Sequence, residues 1–133
     1  MTEQGKYKIL LLDDNLLVLT TLADIMSAEG YQVHTYENAA SALAGFHEIK
    51  PDAVITDVNM PGMNGIEFLE QIRSVDMETP VIVMTGYEKQ GMVSDAIHLN
   101  VFEFLVKPFM PFKLVDAVDR GIKTRLELQF QKV

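Results

Sequence analysis

Short apolar runs rich in Val, Ile and Leu alternate along the chain with longer segments in which apolar residues recur every three or four positions. The first pattern is that of a buried strand and the second that of an amphipathic helix, and their regular alternation is the rhythm of a parallel sheet. Strands are predicted at Tyr7 to Leu12, Tyr31 to Tyr36, Ala53 to Asp57, Val81 to Thr85 and Val101 to Val106. Five helices fit between and after them. The first places Leu16, Leu19, Leu22, Ala23 and Met26 at helical spacing and stops at Gly30. The second opens at Asn38, a good N-cap. A third follows Gly65 with Ile66, Leu69 and Ile72 on one face, and a fourth carries Val93, Ala96 and Ile97. The last repeats Leu114, Val118, Ile122, Leu126 and Phe130, running nearly to the C-terminus.

Strand polarity orders the sheet. Ile9 to Leu12, Ala53 to Ile55 and Val81 to Met84 are almost continuously apolar, as strands covered on both faces by helices must be. These three are central. The second strand interleaves Gln32, His34 and Thr35 and the fifth contains Glu103, so both belong at the edges. The order 2-1-3-4-5 satisfies this with right-handed crossovers, and the fold class is α/β: a doubly wound five-stranded parallel sheet in a three-layer sandwich. In such a fold ligands bind beyond the carboxyl ends of the strands, where the winding reverses between the first and third.

Composition narrows the function. The 133 residues leave room for one domain, and 48% hydrophobic with 23% charged residues is an ordinary globular mix. Cys is absent, which excludes disulfides, thiolate nucleophiles, iron–sulfur clusters and Cys-based zinc sites. With 11 Lys and Arg against 19 Asp and Glu the net charge is −8 and no basic cluster appears, so direct nucleic-acid binding is not expected. No apolar run approaches the roughly 20 residues needed to cross a bilayer, and the stretch after the N-terminus is too short for a signal peptide. A cytoplasmic location with no membrane contact is the expectation.

The carboxyl ends carry the chemistry. Strand one ends in Asp13-Asp14, strand three in Asp57, strand four in Thr85 and strand five in Lys107-Pro108. Neighbouring strands lie about 4.8 Å apart, so three carboxylates, a hydroxyl and an ammonium converge on one crevice. Singly, each has a plain structural reading: a strand-end Asp is commonly a turn former or N-cap, Thr85 a polar strand end and Lys107 a solvated charge. Together they coincide at four strand ends in the right order. Crowded carboxylates repel, and oxygen-only ligands favour a hard cation; Mg²⁺ fits, with Mn²⁺ a possible substitute, because it keeps several waters and is completed by substrate phosphate. Asp57, alone at the end of the middle strand, is then placed to attack phosphorus as a nucleophile.

At LLLDDN around Asp13 and Asp14, ITDVNMPGMNG around Asp57, VMTGY around Thr85 and FLVKPF around Lys107, the sequence resembles the receiver domain of two-component response regulators, over essentially the whole chain. A chemotaxis member of that family has the same flavodoxin-like strand order. The resemblance implies that Asp57 accepts a phosphoryl group from a phosphohistidine on a sensor histidine kinase or phosphotransfer protein. It implies Mg²⁺ on Asp14, Asp57 and the backbone carbonyl of Asn59, with Asp13 acting through water, and Lys107 paired with Asp57 and later with the phosphoryl group. Lys107-Pro108 is cis in the family. Asn59 and Tyr87 would border the path of the hydrolytic water, with bulky Tyr87 shielding the acyl phosphate. Thr85 would swing toward the phosphoryl oxygen and Phe104 turn into the vacated space, changing the face formed by the fourth helix, strand five and the last helix, which a downstream protein or output domain reads. Ordinary edge-strand packing is the other reading of Phe104.

Residues 1–124 are assigned to the receiver and 125–133 to a C-terminal extension of its last helix, with Leu126 and Phe130 facing a dimer partner or an output domain. Phosphorylation would promote such a homodimer. His34, His47 and His98 lie on separate elements and suit surface roles, and Met60 and Met63 read as core or loop filler. Three other functions compete with this one. A flavodoxin-like electron carrier needs a hydroxyl- and Gly-rich loop where Asp13-Asp14-Asn15 stands, and a haloacid-dehalogenase-like phosphatase needs a second Asp where Asn59 stands. A module of the same fold that binds partners without phosphorylation is the remaining alternative, separated only by chemistry.

Overall fold

The computed structural model describes residues 7–58, 60, 62–86 and 97–131. Five parallel strands form one sheet: β1 (Lys8–Leu12), β2 (Gln32–Tyr36), β3 (Ala53–Asp57), β4 (Val81–Thr85) and β5 (Glu103–Val106). Their order is β2-β1-β3-β4-β5, and every neighbouring pair is parallel. This is the expected doubly wound arrangement. Four α-helices are described, α1 (Leu16–Ala28), α2 (Ala39–Ile49), α3 (Gly65–Arg73) and α4 (Pro111–Gln131), with a single 3₁₀ turn at Ile97–Leu99. The expected fourth helix around Val93 and Ala96 lies outside the described residues, apart from that turn.

Alternation along the central strands divides the core in two. Leu10, Leu12, Val54, Val81 and Val83 point to one face and pack with Ala42 and Phe46 of α2 and Phe68, Leu69 and Ile72 of α3. Ile9, Leu11, Ile55, Ile82 and Met84 point to the other, against Leu19, Leu22 and Met26 of α1 and Leu114, Val118 and Ile122 of α4. Successive side chains of a strand face opposite ways, so a strand apolar at every position must have helices on both sides. All five residues of β3 and of β4 are buried, whereas β2 and β5 are mostly half-buried or exposed edges.

Local signals set the helix ends. The side chains of Asn15, Asn38 and Asn64 each accept a backbone N–H three residues on, and Asn64 completes a capping box with Glu67. Gly30 takes a left-handed φ of 99° just beyond α1, as the stop there requires. Pro111 opens α4 at the one end of a helix where a missing N–H costs nothing.

The edges of three strands come out shorter than expected. Tyr31 falls outside β2 because its N–H returns to Met26 O at the end of α1, and Phe102 meets the sheet through a single bond to Val81 O before β5 begins. Leu16, counted above with the apolar positions of α1, is exposed, as is Leu17; both sit in the first turn of the helix. The row on α4 is buried through Ile122 and then emerges, with Phe130 81% exposed. Met60 is buried and Met63 packs against the same cluster.

Candidate functional site

Parallel register brings the functional residues to one rim. Leu12 pairs with Thr56, Asp57 with Met84, and Thr85 with Val106, so Asp13, Asp57, Thr85 and Lys107 stand side by side at or just past the carboxyl ends of β1, β3, β4 and β5. Carboxylate oxygens of Asp13, Asp14 and Asp57 all lie within 4.8 Å of one another. Asp13 is wholly buried, Asp57 nearly so, and Asp14 exposed, which gives the cluster one open side.

Each carboxylate has a distinct set of partners. Asp13 Oδ1 accepts the backbone N–H of Asn15 at 2.8 Å, and its Oδ2 takes the ammonium of Lys107 at 3.0 Å. Asp57 Oδ1 accepts the backbone N–H of Val58 at 2.9 Å, leaving Oδ2 3.6 Å from Lys107 Nζ. Lys107 therefore lies against both carboxylates, more tightly on Asp13, where only a pairing with Asp57 was foreseen. Burial raises the pKa of Asp57 above the ordinary carboxylate range; Lys107 opposes the rise and the charges of Asp13 and Asp14 add to it.

The remaining groups frame that cluster. Thr85 is buried and its hydroxyl donates to Gly86 O at 3.2 Å, while Thr85 O accepts the backbone N–H of Lys107 at 2.7 Å. The Lys107-Pro108 bond is cis. Phe104 pairs with Val83 on the edge strand and packs, half-buried, against the α2–α3 side of the core. Asn59 and Tyr87 lie outside the described residues. His34, His47 and His98 take no part in the carboxylate cluster.

The geometry is accompanied by a match in sequence: the family model described as the response regulator receiver domain covers residues 9–119. The chain belongs to the response regulator receiver domain family. Receiver domains are signalling modules of two-component systems, and relatives of this one include both free-standing and larger proteins. The chemotaxis protein CheY of Thermotoga maritima is 35% identical over 117 residues, covering 87% of this chain and 98% of that protein. Sporulation initiation phosphotransferase F of Bacillus subtilis is 34% identical over 113 residues, 85% of this chain and 91% of the relative. The regulatory protein AtoC of Escherichia coli is 34% identical over 125 residues, 94% of this chain but 26% of AtoC, so the receiver spans about a quarter of that longer protein. Among solved structures, a receiver domain protein from Clostridium thermocellum superposes with a TM-score of 0.87 at 29% identity, over 92% of this chain and 98% of its own.

Two features of the receiver site were not read from sequence. The Val58 N–H that holds Asp57 is a backbone group and leaves no compositional trace. The capping box of Asn64 and Glu67, which fixes the start of α3 beside the site, was legible as an Asn followed three residues later by Glu.

Proposed function

We propose that the chain is a phosphoacceptor: Asp57 takes a phosphoryl group from a phosphohistidine on a sensor histidine kinase or a phosphotransfer protein, and the modified state switches a protein-interaction face. The observation that carries this reading is the placement of Asp57, a buried carboxylate with one oxygen held by Val58 N–H and the other facing Lys107 and two further carboxylates. The donor set fits Mg²⁺. Three carboxylates with an exposed side match a hard cation that retains water, and the imidazole or thiolate ligands a transition metal prefers are absent from the cluster. Asp13, Asp14 and Asp57, with the backbone carbonyl of Asn59, would hold it, Asp13 through water. Bound there, Mg²⁺ supplies neutralisation of phosphoryl oxygens and relief of the repulsion among the carboxylates.

The residues of the chain do the rest. An Asp57 carboxylate oxygen attacks phosphorus as the P–N bond of the phosphohistidine breaks; the imidazole leaves with the electron pair of that bond. Lys107 meets charge spread over the equatorial oxygens of a loose transition state. Water later cleaves the acyl phosphate and restores Asp57, so the domain is a signalling switch and not a turnover enzyme on an external substrate. Asn59 and Tyr87, outside the described residues, are assigned to tune the rate of that step, and Tyr87→Ala is expected to lose phosphate faster than wild type. Thr85 moves its hydroxyl toward the phosphoryl oxygen, Phe104 fills the space it leaves, and the β5 and α4 face changes shape for a downstream protein, an output domain or a second copy. A partner shifts this equilibrium only as far as it binds one state better.

Intact mass after incubation with Mg²⁺ and acetyl phosphate tests the proposal. Wild type gains one phosphoryl group and Asp57→Ala gains none. Equal labelling of both, or labelling of neither, refutes it. Sedimentation of the labelled protein then reports whether modification promotes a homodimer.

A further inference from the structure

Gly65 opens α3, and its φ does not lie in the left-handed region, so nothing in its backbone torsion asks for glycine. What excludes a side chain is space. A Cβ at position 65 would stand 2.0 Å from the carbonyl oxygen of Asp57, 2.9 Å from its carbonyl carbon and 2.9 Å from Val58 Cα, where contacts under 3.0 Å are essentially never seen. All three obstacles are backbone and cannot rotate away.

The crowded peptide is the one that aims the acceptor. Val58 N–H, its donor half, points at both Asp57 Oδ1, at 2.9 Å, and Met84 O, at 3.1 Å, and Val58 O accepts Gly65 N–H at 3.0 Å. The first turn of α3 is thus pressed against the main chain that sets the carboxylate. We infer that Gly65 is a positioning residue for phosphoryl acceptance: its missing side chain lets α3 seat the Asp57–Val58 peptide so that Asp57 Oδ1 is held and Oδ2 is presented to Lys107. This inference rests on the reading of Asp57 as acceptor. A methyl group at 65 has to push this peptide or lift the helix, and either displaces the carboxylate.

A matched control exists in the same molecule. A Cβ at Gly45, on α2, would stand 2.1 Å from the hydroxyl oxygen of Tyr36, but the obstacle there is the far end of a side chain and not the main chain that carries Asp57. The experiment compares wild type, Gly65→Ala and Gly45→Ala by thermal melting, by the amide resonance of Val58 in metal-free protein, and by the rate of mass gain with Mg²⁺ and acetyl phosphate. Both variants are expected to melt lower than wild type. Only Gly65→Ala should shift the Val58 amide and slow phosphoryl acceptance, on the order of tenfold to a hundredfold for a displacement near 1 Å. Wild-type rate in Gly65→Ala, or equal slowing in Gly45→Ala, overturns the inference. If Gly65→Ala is largely unfolded, the rates are taken in a stabilising osmolyte; failure to fold even there makes Gly65 a residue of the fold alone and also overturns it. Should wild type itself gain no mass, the acceptor reading fails first, and the Val58 amide alone decides whether Gly65 sets that peptide.

Discussion

The ammonium of Lys107 lies 3.0 Å from Asp13 Oδ2, closer than its 3.6 Å to Asp57 Oδ2. One cation thus serves two carboxylates, and the deeper one holds it. Asp13 is fully buried while the Lys107 side chain is 29% exposed, so the pair sits at the boundary between interior and solvent. Such a lysine can shift its grip toward Asp57 without crossing water-free space, which suits the role proposed for it of meeting phosphoryl oxygens.

Replacing that lysine should separate folding from chemistry. Lys107→Met leaves Asp13 buried with, among the described residues, the Asn15 N–H as its one donor, and is expected to cost about 1–3 kcal/mol in urea unfolding. Phosphoryl acceptance from acetyl phosphate should fall further, by roughly 10²–10³-fold, as expected when a charge-stabilising donor is lost. Mass spectrometry over time, corrected for the folded fraction, checks it.

Asp57→Asn should stabilise the metal-free protein. Burial already raises the pKa of this carboxyl, and the charges of Asp13 and Asp14 add to the cost of ionising it. Removing the charge in EDTA is expected to raise the melting temperature by roughly 2–6 °C. Adding Mg²⁺ should then raise the melting temperature of wild type, by mass action on the folded state, and move Asp57→Asn much less. Identical shifts in the two would place the ion elsewhere.

A pH-dependent contribution is expected at the opposite end of the sheet. Burial alone would raise the pKa of Asp76, but hydrogen bonds from the Thr79 hydroxyl and from the Thr79 and Glu78 N–H groups, with Arg125 nearby, outweigh it and hold the carboxyl below its ordinary range. A carboxyl depressed on folding stabilises the native state in full above its unfolded pKa of about 3.9, and loses that contribution as pH falls through the lower folded value. Asp76→Asn should therefore be less stable than wild type at pH 7, by about 1–2 kcal/mol. The gap should narrow as pH falls below about 4. A gap that stays constant over that range would contradict the assignment.

The end of α4 should be dispensable for folding. Beyond Ile122 the helix leaves the core, and Leu126, Leu128 and Phe130 are exposed. A chain ending after Arg125 is expected to keep its fold and its phosphoryl acceptance, with stability within about 0.5 kcal/mol of the full chain. Urea unfolding decides it, and a large loss would move the domain boundary proposed at residue 124 toward the C-terminus.

What was readable in the sequence follows from which forces act locally. The three central strands announce themselves because burial on both faces demands an apolar residue at every position, and Asn38 and Gly30 mark helix ends by backbone needs that few residues meet. Leu16 misled because helical spacing records which side a residue faces but not whether anything lies there; in the first turn of α1 it is exposed. The rim residues could be named from strand ends alone, yet the preference of Lys107 for Asp13 depends on side-chain reach in three dimensions. Arg73 gave no signal at all. It is buried on α3 and donates to the carbonyls of Leu99, Asp76 and Asn100, stitching two loops by contacts that no sequence period encodes.

The rim is drawn from positions 13, 14, 57, 85 and 107, so it closes only after the fifth strand has been made. No shorter stretch contains it, and β5 must dock on β4 before Lys107 can arrive. On the proposed reading, a chain that has not yet placed its final strand cannot take up phosphate, so acceptance would report that all five strands are in register.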